Sequence, residues 1–351
     1  MATKRWMVGF DGWKTGTGPD SDVVIASRVS ISRNLLGEKF PGSLDPDGLT
    51  KVSGRILSFF EDEESVWYTL DLGNASPLER QFLMEESLLP PETEATGRFL
   101  LVRQDGQLSV LINVEDHLRL GFHRPGLDFG HGYSPLTHLE ERLESKFPFA
   151  SSLQFGYLTA DPRRTGDTVE AVVTLHLPGL VALDAVDEIL GGLLDGEVSV
   201  RWFSGGGSLS LGHLYQVAGS HRVSSEEARL QKVEDATRTL VHYEREARAD
   251  LFSGSRRETE HKVLRSLGLL RCSPALTGLE AFEHLSWLRL GVSMGITSAA
   301  SLEDVTSMLY WSQHAHVLHA AGSTDQSRVE EQRAALLQRR LEAERLHEEG
   351  I

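Results

Sequence analysis

The chain has 351 residues, a formal net charge of −16 and a pI near 5.3. This acidic balance disfavours binding to nucleic acid, which needs a basic face, and favours basic, arginine-rich protein partners. No apolar run approaches the ~18 residues of a membrane helix, and the apolar core near the start is too short for a signal peptide. The single cysteine, Cys272, excludes an internal disulfide, so these features together predict a cytoplasmic protein with no membrane association.

Strands dominate the first two thirds of the chain. Alternating and β-branched residues predict strands at residues 23–25, 99–102, 108–112, 153–159, 169–177, 198–203 and 209–217. Helical spacing of apolar residues predicts helices at residues 49–62, 77–89 and 136–143. Arg28 and Arg33 are then expected at the end of the first strand and just past it. The glycine triplet at residues 205–207 is interpreted as a hairpin turn rather than a phosphate-binding loop, because no Gly-Lys-Ser/Thr follows it.

From residue 224 onward the pattern is helical. Ser224 and Glu227 form a capping-box pattern that predicts the start of a long amphipathic helix. Further helices are predicted at residues 261–267, 279–288, 302–311 and 330–348. The sequence thus predicts an α+β domain over residues 1–223 and an all-helical domain over residues 224–351. The helical domain is a candidate for mediating homodimer formation. Apolar positions expected to cover a core shared with the later helices are Leu230, Val233, Leu240 and Val241.

Residues 111–120, with the sequence LINVEDHLRL, place a cluster of charged side chains at the end of an apolar strand. Glu115 is a candidate general base toward a donor group, and Asp116 is a candidate for orienting that group. Arg119 is suited to receive an anion such as phosphate. The alternative is a solvated strand end with a local ion pair.

Seven stretches along nearly the whole chain carry a resemblance to a known family. They are VVIASRVSISRNL, SPLERQFLMEESLL, INVEDHLRL, FGYLTADP, TLHLPGL, VRWFSGGGSLSLGHLYQV and EEQRAALLQRRL. With them the chain resembles the bacterial protein arginine kinases, relatives of the phosphagen (creatine and arginine) kinases, which phosphorylate a guanidinium group with ATP. The resemblance implies a phosphagen-kinase-like α+β fold, an antiparallel sheet flanked by helices, with a helical domain after it. It also implies MgATP as the phosphate donor and an arginine-containing protein as the acceptor.

The resemblance also implies roles for individual residues. It assigns the catalytic carboxylates to Glu115 and Asp116. It assigns the nucleotide site to Ser27, Arg28, Arg119 and Arg201, with Arg164 as a candidate additional cation.

The chain departs from the family pattern where the chemistry lies. Ser30 and Glu170 each stand where the family has arginine, Arg164 stands where it has asparagine, and Asp161 where it has a reactive cysteine. One arginine that stabilises a moving phosphoryl group is worth ~10³ to 10⁵ in rate. A carboxylate beside a phosphate repels it by ~3 to 4 kcal/mol at an effective dielectric of about 20. The departures therefore predict that ATP-dependent transfer is lost or greatly weakened.

The last predicted helix resembles the segment with which family members bind phosphoarginine. Arg333 and Ala334 match that segment, while Glu330 stands where it has aspartate. The alternative is an ordinary solvated helix face.

No metal site is predicted. His314, His316 and His319 lie close in sequence, but positions i and i+2 of a helix do not face one site. They are interpreted as surface or hydrogen-bonded histidines.

Three functional hypotheses follow. In the leading one, the protein is a non-catalytic relative that binds an active arginine kinase, its adaptor or its arginine-containing substrates, and needs no cofactor. In the second, it is a working protein arginine kinase that uses MgATP, with Glu115 as base and Arg28, Arg119, Arg201 and Arg164 as the nucleotide clamp. In the third, it is a phosphoarginine reader acting through the helical domain.

Overall fold

The computed structural model describes residues 14–91, 96–166, 168–193, 196, 198–202, 211–219 and 225–348. Within them one large antiparallel sheet is covered by helices, and a group of helices follows, as expected for an α+β chain. The glycine triplet at 205–207 and Ser224 lie outside the described residues. Among the described helices, none is both long enough and apolar enough to cross a lipid bilayer.

The described strands are β1 (Val24–Arg33), β2 (Trp67–Asp71), β3 (Phe99–Arg103), β4 (Leu108–Ile112), β5 (Leu118–Pro125), β6 (Ser151–Ser152), β7 (Gly156–Tyr157), β8 (Glu170–His176), β9 (Val198–Trp202) and β10 (Leu214–Gly219). Eight of them form a single antiparallel sheet in the spatial order β2-β3-β4-β5-β1-β8-β10-β9. β6 and β7 form a separate two-stranded hairpin. The ten-residue β1 lies at the centre of the large sheet, so side chains from β5 and β8 meet above it.

The described helices are α1 (Pro46–Glu61), α2 (Pro77–Glu85), α3 (Phe129–Lys146), α4 (Pro178–Ala182), α5 (Val186–Leu193), α6 (Glu226–Gly254), α7 (Arg256–Cys272), α8 (Gly278–Ser293), α9 (Leu302–Trp311), α10 (His314–Ala320) and α11 (Val329–Glu348). Helices α1, α3 and α6 cover one face of the sheet. Helices α7, α8, α9 and α11 share a second core, which also takes in Ile25 and Leu214 from the sheet. The helical region and the sheet therefore pack directly against each other.

Strand register separates a polar face of the sheet from an apolar one. Directly opposed residues of antiparallel strands have their side chains on the same face of the sheet, and successive residues along a strand point to opposite faces. Ser30 of β1 lies opposite Gly121 of β5 and Glu170 of β8. Alternation from this row places on the same face Arg28, Arg119, Arg201 and Gln216. The intervening residues, such as Val29, Ile31, Leu120, Val173 and Val217, are buried beneath the covering helices.

Several sequence predictions are wrong in detail. β1 runs on to Arg33, so Arg28 and Arg33 lie within the strand; polar residues on its site-facing side had hidden its length. The strand predicted at 153–159 is reduced to the β6–β7 hairpin, followed by a 3₁₀ turn at Pro162–Arg164. The helix predicted at 77–89 ends at Glu85, and the long helix α6 is capped by Ser225, whose Oγ accepts from the Ala228 N–H at 3.2 Å.

The expected packing of α6 is also wrong. Val233, Leu240 and Val241 are buried in the core of the sheet and not in that of the later helices. α6 covers β8, β9 and β10 because its apolar stripe matches their apolar face. The division into units 1–223 and 224–351 stays a prediction about independent folding.

Candidate active site

Three arginines from three different strands line one cavity on the polar face of the sheet. Arg28, Arg119 and Arg201 surround a volume of about 290 Å³, together with Ser30 and Gln216. Arg201 is oriented by its Nε, which donates to Gln216 Oε1 at 3.2 Å. The register of the sheet thus gathers residues that are far apart in sequence into one cationic pocket.

Glu170 lies among these arginines. Its carboxylate accepts a hydrogen bond from Arg119, and its oxygens lie 3.9 Å from the guanidinium nitrogens of both Arg28 and Arg164. Burial alone would raise the pKa of Glu170, but the charges of Arg119, Arg28, Arg164 and Arg201 outweigh it and lower that pKa to about 2. Glu170 is therefore ionised at neutral pH and occupies the cationic pocket as a fixed anion.

Ser30 makes room for this arrangement. Its Oγ lies 3.5 Å from Glu170 Oε2 and 3.4 Å from Arg119 Nη2, so both side chains reach over it. The two positions where arginine was expected are thus adjacent in space and directly paired in register. A hydroxyl and a carboxylate therefore lie side by side at one point of the sheet, where the resemblance predicts two arginines.

Arg28 is held from outside the sheet. Its Nη1 donates to the carbonyl of Ser87 at 3.1 Å, just after α2, where Ser87 adopts a left-handed φ of 58°. Burial lowers the pKa of Arg28 to about 10, although Glu170 opposes that shift, so Arg28 remains charged at neutral pH. The turn after α2 therefore fixes the position of one cation of the pocket.

The two adjacent carboxylates have different surroundings. Asp116 is 4% exposed and accepts hydrogen bonds from Asn34 Nδ2 at 2.6 Å and from the Ala160 N–H at 2.7 Å. Glu115 is 52% exposed and accepts from Arg164 Nη1 at 2.7 Å. Asp116 thus anchors backbone around the site, whereas Glu115 faces outward and binds a guanidinium.

Ser27 directly precedes Arg28 on β1, and its side chain contacts the start of α3. Its Oγ accepts from the Asp128 N–H at 3.2 Å, and the side chain is buried. This contact ties β1 to the N-cap residue of α3. A direct role for Ser27 in nucleotide binding stays a prediction.

The proposed phosphoarginine residues lie in the helical region, on α11. Arg333 is buried and donates to the carbonyls of Ser312 and Leu276, each at 2.7 Å, and Ala334 is buried beside it. Glu330 is exposed, and its carbonyl accepts from the Leu276 N–H at 3.1 Å. In this arrangement Arg333 links α11 to the starts of α8 and α10, and phosphoarginine binding stays a prediction.

Sequence reasoning missed a buried charge cluster behind the pocket. His316 of α10 contacts Glu85 through Nδ1 at 2.8 Å and Glu86 through Nε2 at 2.6 Å. Lys14 forms an ion pair with Glu86, which directly precedes Ser87. Adjacent glutamates at the end of a helix were the available signal, but their partners are more than 70 residues away in sequence. Within the described part of the chain, no group of three or more potential side-chain ligands is arranged to hold a metal ion.

Comparisons with known proteins agree with this architecture. The family model for the ATP:guanido phosphotransferase C-terminal catalytic domain matches residues 50–247, and that for the protein-arginine kinase McsB C-terminal domain matches residues 256–350. A protein-arginine kinase of Brevibacillus brevis is 31% identical, over 97% of this chain and 98% of its own length. One of Pelotomaculum thermopropionicum is 30% identical, over 88% and 89% respectively. The chain belongs to the ATP:guanido phosphotransferase family, in its bacterial protein arginine kinase branch.

Solved structures support the fold. The duplicated taurocyamine kinase of Schistosoma mansoni, with bound transition-state analogue components, superposes with a TM-score of 0.55 at 22% identity, over 63% of this chain and 33% of that one. A lombricine kinase superposes with a TM-score of 0.54 at 18% identity, over 69% and 70%. The family models and relatives thus confirm the family that the sequence predicts, and the solved structures confirm its fold.

Proposed function

We propose that this protein is a member of the protein arginine kinase branch whose phosphotransfer is lost or greatly weakened, and that it acts as a regulatory protein binding arginine-containing segments. The observation that carries the proposal is the ionised Glu170 carboxylate held among Arg28, Arg119 and Arg164. That carboxylate already pairs with the arginine side chains that a nucleotide phosphate would need to contact.

Electrostatics opposes a phosphate in this pocket. A phosphate oxygen about 4 Å from Glu170 would be repelled by ~4 kcal/mol per unit charge at an effective dielectric of about 20. It would also have to take Arg119 away from its existing carboxylate partner. Phosphoryl transfer depends on preorganised cations, so cations already engaged by an internal anion provide little catalysis.

Recognition of arginine does not require the phosphate pocket. Glu115 is half exposed and already binds one guanidinium, that of Arg164. Charge-assisted hydrogen bonds between a carboxylate and a planar guanidinium are strong and directional. The net charge of −16 draws basic segments toward the molecule. Partners of this kind are an arginine-containing protein, an active arginine kinase or its adaptor, met in the cytoplasm.

The second candidate is an active protein arginine kinase with a rearranged nucleotide site. The supporting observation is that Arg164 reaches the cluster, with its Nη2 3.9 Å from Glu170. Four arginines then face Glu170, which leaves an excess of positive charge for MgATP. In that case Arg28, Arg119, Arg201 and Arg164 would hold the phosphates, and Glu115 would take a proton from the acceptor guanidinium.

Two calorimetric titrations of the full chain test the proposal. One uses MgATP at millimolar concentration, and the other uses a short arginine-containing peptide without nucleotide. The proposal predicts weak or no MgATP binding and measurable peptide binding that Glu115→Gln weakens. Tight, magnesium-dependent ATP binding would favour the active kinase instead.

A further inference from the structure

The turn that carries Arg164 is tied at two points to the adjacent carboxylates. Asp116 accepts the Ala160 N–H at 2.7 Å, and Glu115 accepts Arg164 Nη1 at 2.7 Å. Between them, the 3₁₀ turn Pro162–Arg164 is capped by Asp161, whose Oδ1 accepts the Arg163 N–H at 3.0 Å. The backbone of the turn is therefore fixed, and it points an arginine of the chain itself at the exposed carboxylate.

We infer that Arg164 is an internal competitor that occupies the guanidinium-binding site at Glu115, so that an arginine of a partner protein binds by displacing it. This inference rests on the proposed function, in which Glu115 is the recognition carboxylate. Arg164 presents to Glu115 the same chemical group that a partner arginine would present, at hydrogen-bond distance. Arg164 thereby lowers the apparent affinity of Glu115 for an arginine of a partner protein.

Displacement leaves Arg164 with a second carboxylate. Its Nη2 is already 3.9 Å from Glu170 Oε2, so after release from Glu115 its charge still faces the Glu170 carboxylate, which it shares with Arg119 and Arg28. The released guanidinium is therefore not left buried without a counter-charge, a situation that would be costly. Glu115, at 52% exposure, lies on the open side of this pair and is accessible to a partner side chain.

The size of the effect follows from the exposure of the pair. Partly exposed ion pairs are weak, so the internal contact is populated only a few times more than its open form. Apparent affinity falls by the fraction of molecules in which the site is open. Removing the competitor is therefore expected to tighten binding of an arginine peptide by about two- to sixfold.

Arg163 provides a matched control for Arg164. It is the preceding residue of the same turn, is 88% exposed, and pairs with Asp161 rather than with Glu115. Replacing it removes the same charge from the same turn and leaves the contact at Glu115 in place. Any general effect of net charge on peptide binding appears equally in both variants.

The experiment is calorimetry of the full chain with an acetylated, amidated arginine peptide in the absence of nucleotide. Arg164→Gln is expected to bind about two- to sixfold more tightly than the wild type, Arg163→Gln to bind like the wild type, and Arg164→Lys to lie between. Glu115→Gln is expected to bind weakly, and adding Arg164→Gln to it is expected to change nothing further.

The outcomes separate this inference from the proposed function. If Arg164→Gln and Arg164→Lys bind no more tightly than Arg163→Gln while Glu115→Gln weakens binding, Arg164 is not a competitor and Glu115 remains the recognition site. If Glu115→Gln binds like the wild type, the recognition site itself is misassigned and both ideas fail. Circular dichroism of each variant verifies that the turn substitutions leave the fold intact.

Discussion

The Glu170 carboxylate of β8 accepts a hydrogen bond from the Arg119 guanidinium of β5, so two strands that flank β1 are bridged directly above Ser30. Ser30 and Glu170 face each other in register. The resemblance predicts arginine at both positions. Because Ser30 and Glu170 contact each other, substitutions at the two positions are expected to act together on the charge of the pocket.

The first prediction is that arginine at both positions 30 and 170 raises MgATP affinity in a non-additive way. Ser30→Arg alone would place its guanidinium against Glu170 and form an ion pair, and Glu170→Arg alone would remove the carboxylate and add one cation. The double variant contains both new guanidinium groups and no carboxylate to pair with them, so its affinity gain by calorimetry should exceed the product of the two single gains.

Glu246→Gln is a matched control for loss of a carboxylate, because Glu246 is exposed on α6 and pairs only weakly with His242 at 3.5 Å. It should leave MgATP binding unchanged. Affinities in the double variant that simply multiply would contradict the pairing of Ser30 with Glu170.

The second prediction concerns acid stability. The pKa of Glu170 is lowered to about 2, below the value of about 4.3 in an unfolded chain. Its stabilising contribution is therefore fully present above about pH 4.3 and is lost as the pH falls through 2. The difference in unfolding free energy between wild type and Glu170→Gln, on the order of 3 kcal/mol at neutral pH, should shrink over that window in urea titrations. A difference that stays constant down to pH 2 would show that the carboxylate is not held by the arginines.

The third prediction concerns the buried histidine. Burial lowers the pKa of His316, but its hydrogen bonds to Glu85 and Glu86 outweigh burial and raise that pKa above its ordinary value. The stabilisation is then fully present below the unfolded value of about 6.5 and is lost as the pH rises through the higher folded pKa. Relative to His316→Gln, the wild type should lose unfolding free energy above about pH 6.5, by roughly 1.4 kcal/mol for each pH unit until the folded pKa is reached.

The exposed His242 gives the control for the substitution itself, since His242→Gln should change the unfolding free energy by less than about 0.5 kcal/mol. A wild type that instead gains stability relative to His316→Gln as the pH rises would mean that His316 is neutral in the folded protein.

Much of the fold could be predicted from the sequence, because it depends on local periodicity. The hairpin of β3 and β4 and the helix α9 (Leu302–Trp311) lie where alternation and helical spacing placed them. Periodicity predicts β1 only as far as residue 25, because Arg28, Ser30 and Ser32 make the site-facing side of the strand polar. It does not identify the partner of α6, because an amphipathic stripe shows that a face is buried but not what covers it.

The candidate site, like the fold, could be predicted from the sequence only in part. Motif matches placed Arg28, Arg119 and Arg201, which the sheet does bring to one cavity. The contacts of Arg164 with Glu115 and Glu170 could not be predicted, since they depend on the path of the turn after β7. Contacts between distant segments are set by tertiary packing, and residue spacing carries no signal for them.

The fourth prediction tests the packing of α6. Leu240 is fully buried against the sheet, so Leu240→Asp should destabilise the protein by several kcal/mol by burying an unpaired charge. Because the contact is with the core of the sheet, amide hydrogen exchange should rise in β8 and β10 as well as in α6. Leu264→Asp, on the exposed side of α7, is the control and should change stability by less than about 0.5 kcal/mol. Exchange that rises only in the helices α7 to α11 would contradict this placement.

Phosphotransfer itself is the decisive assay for the role proposed for this protein. The full chain is incubated with γ-labelled MgATP and an arginine-containing protein, and label is sought on arginine in an acid-labile, hydroxide-stable form. We expect no transfer above that of Glu115→Gln, although the same arginine segment binds the wild type in a Glu115-dependent manner. Clear transfer by the wild type that disappears in Glu115→Gln would contradict the proposed function and establish an active protein arginine kinase.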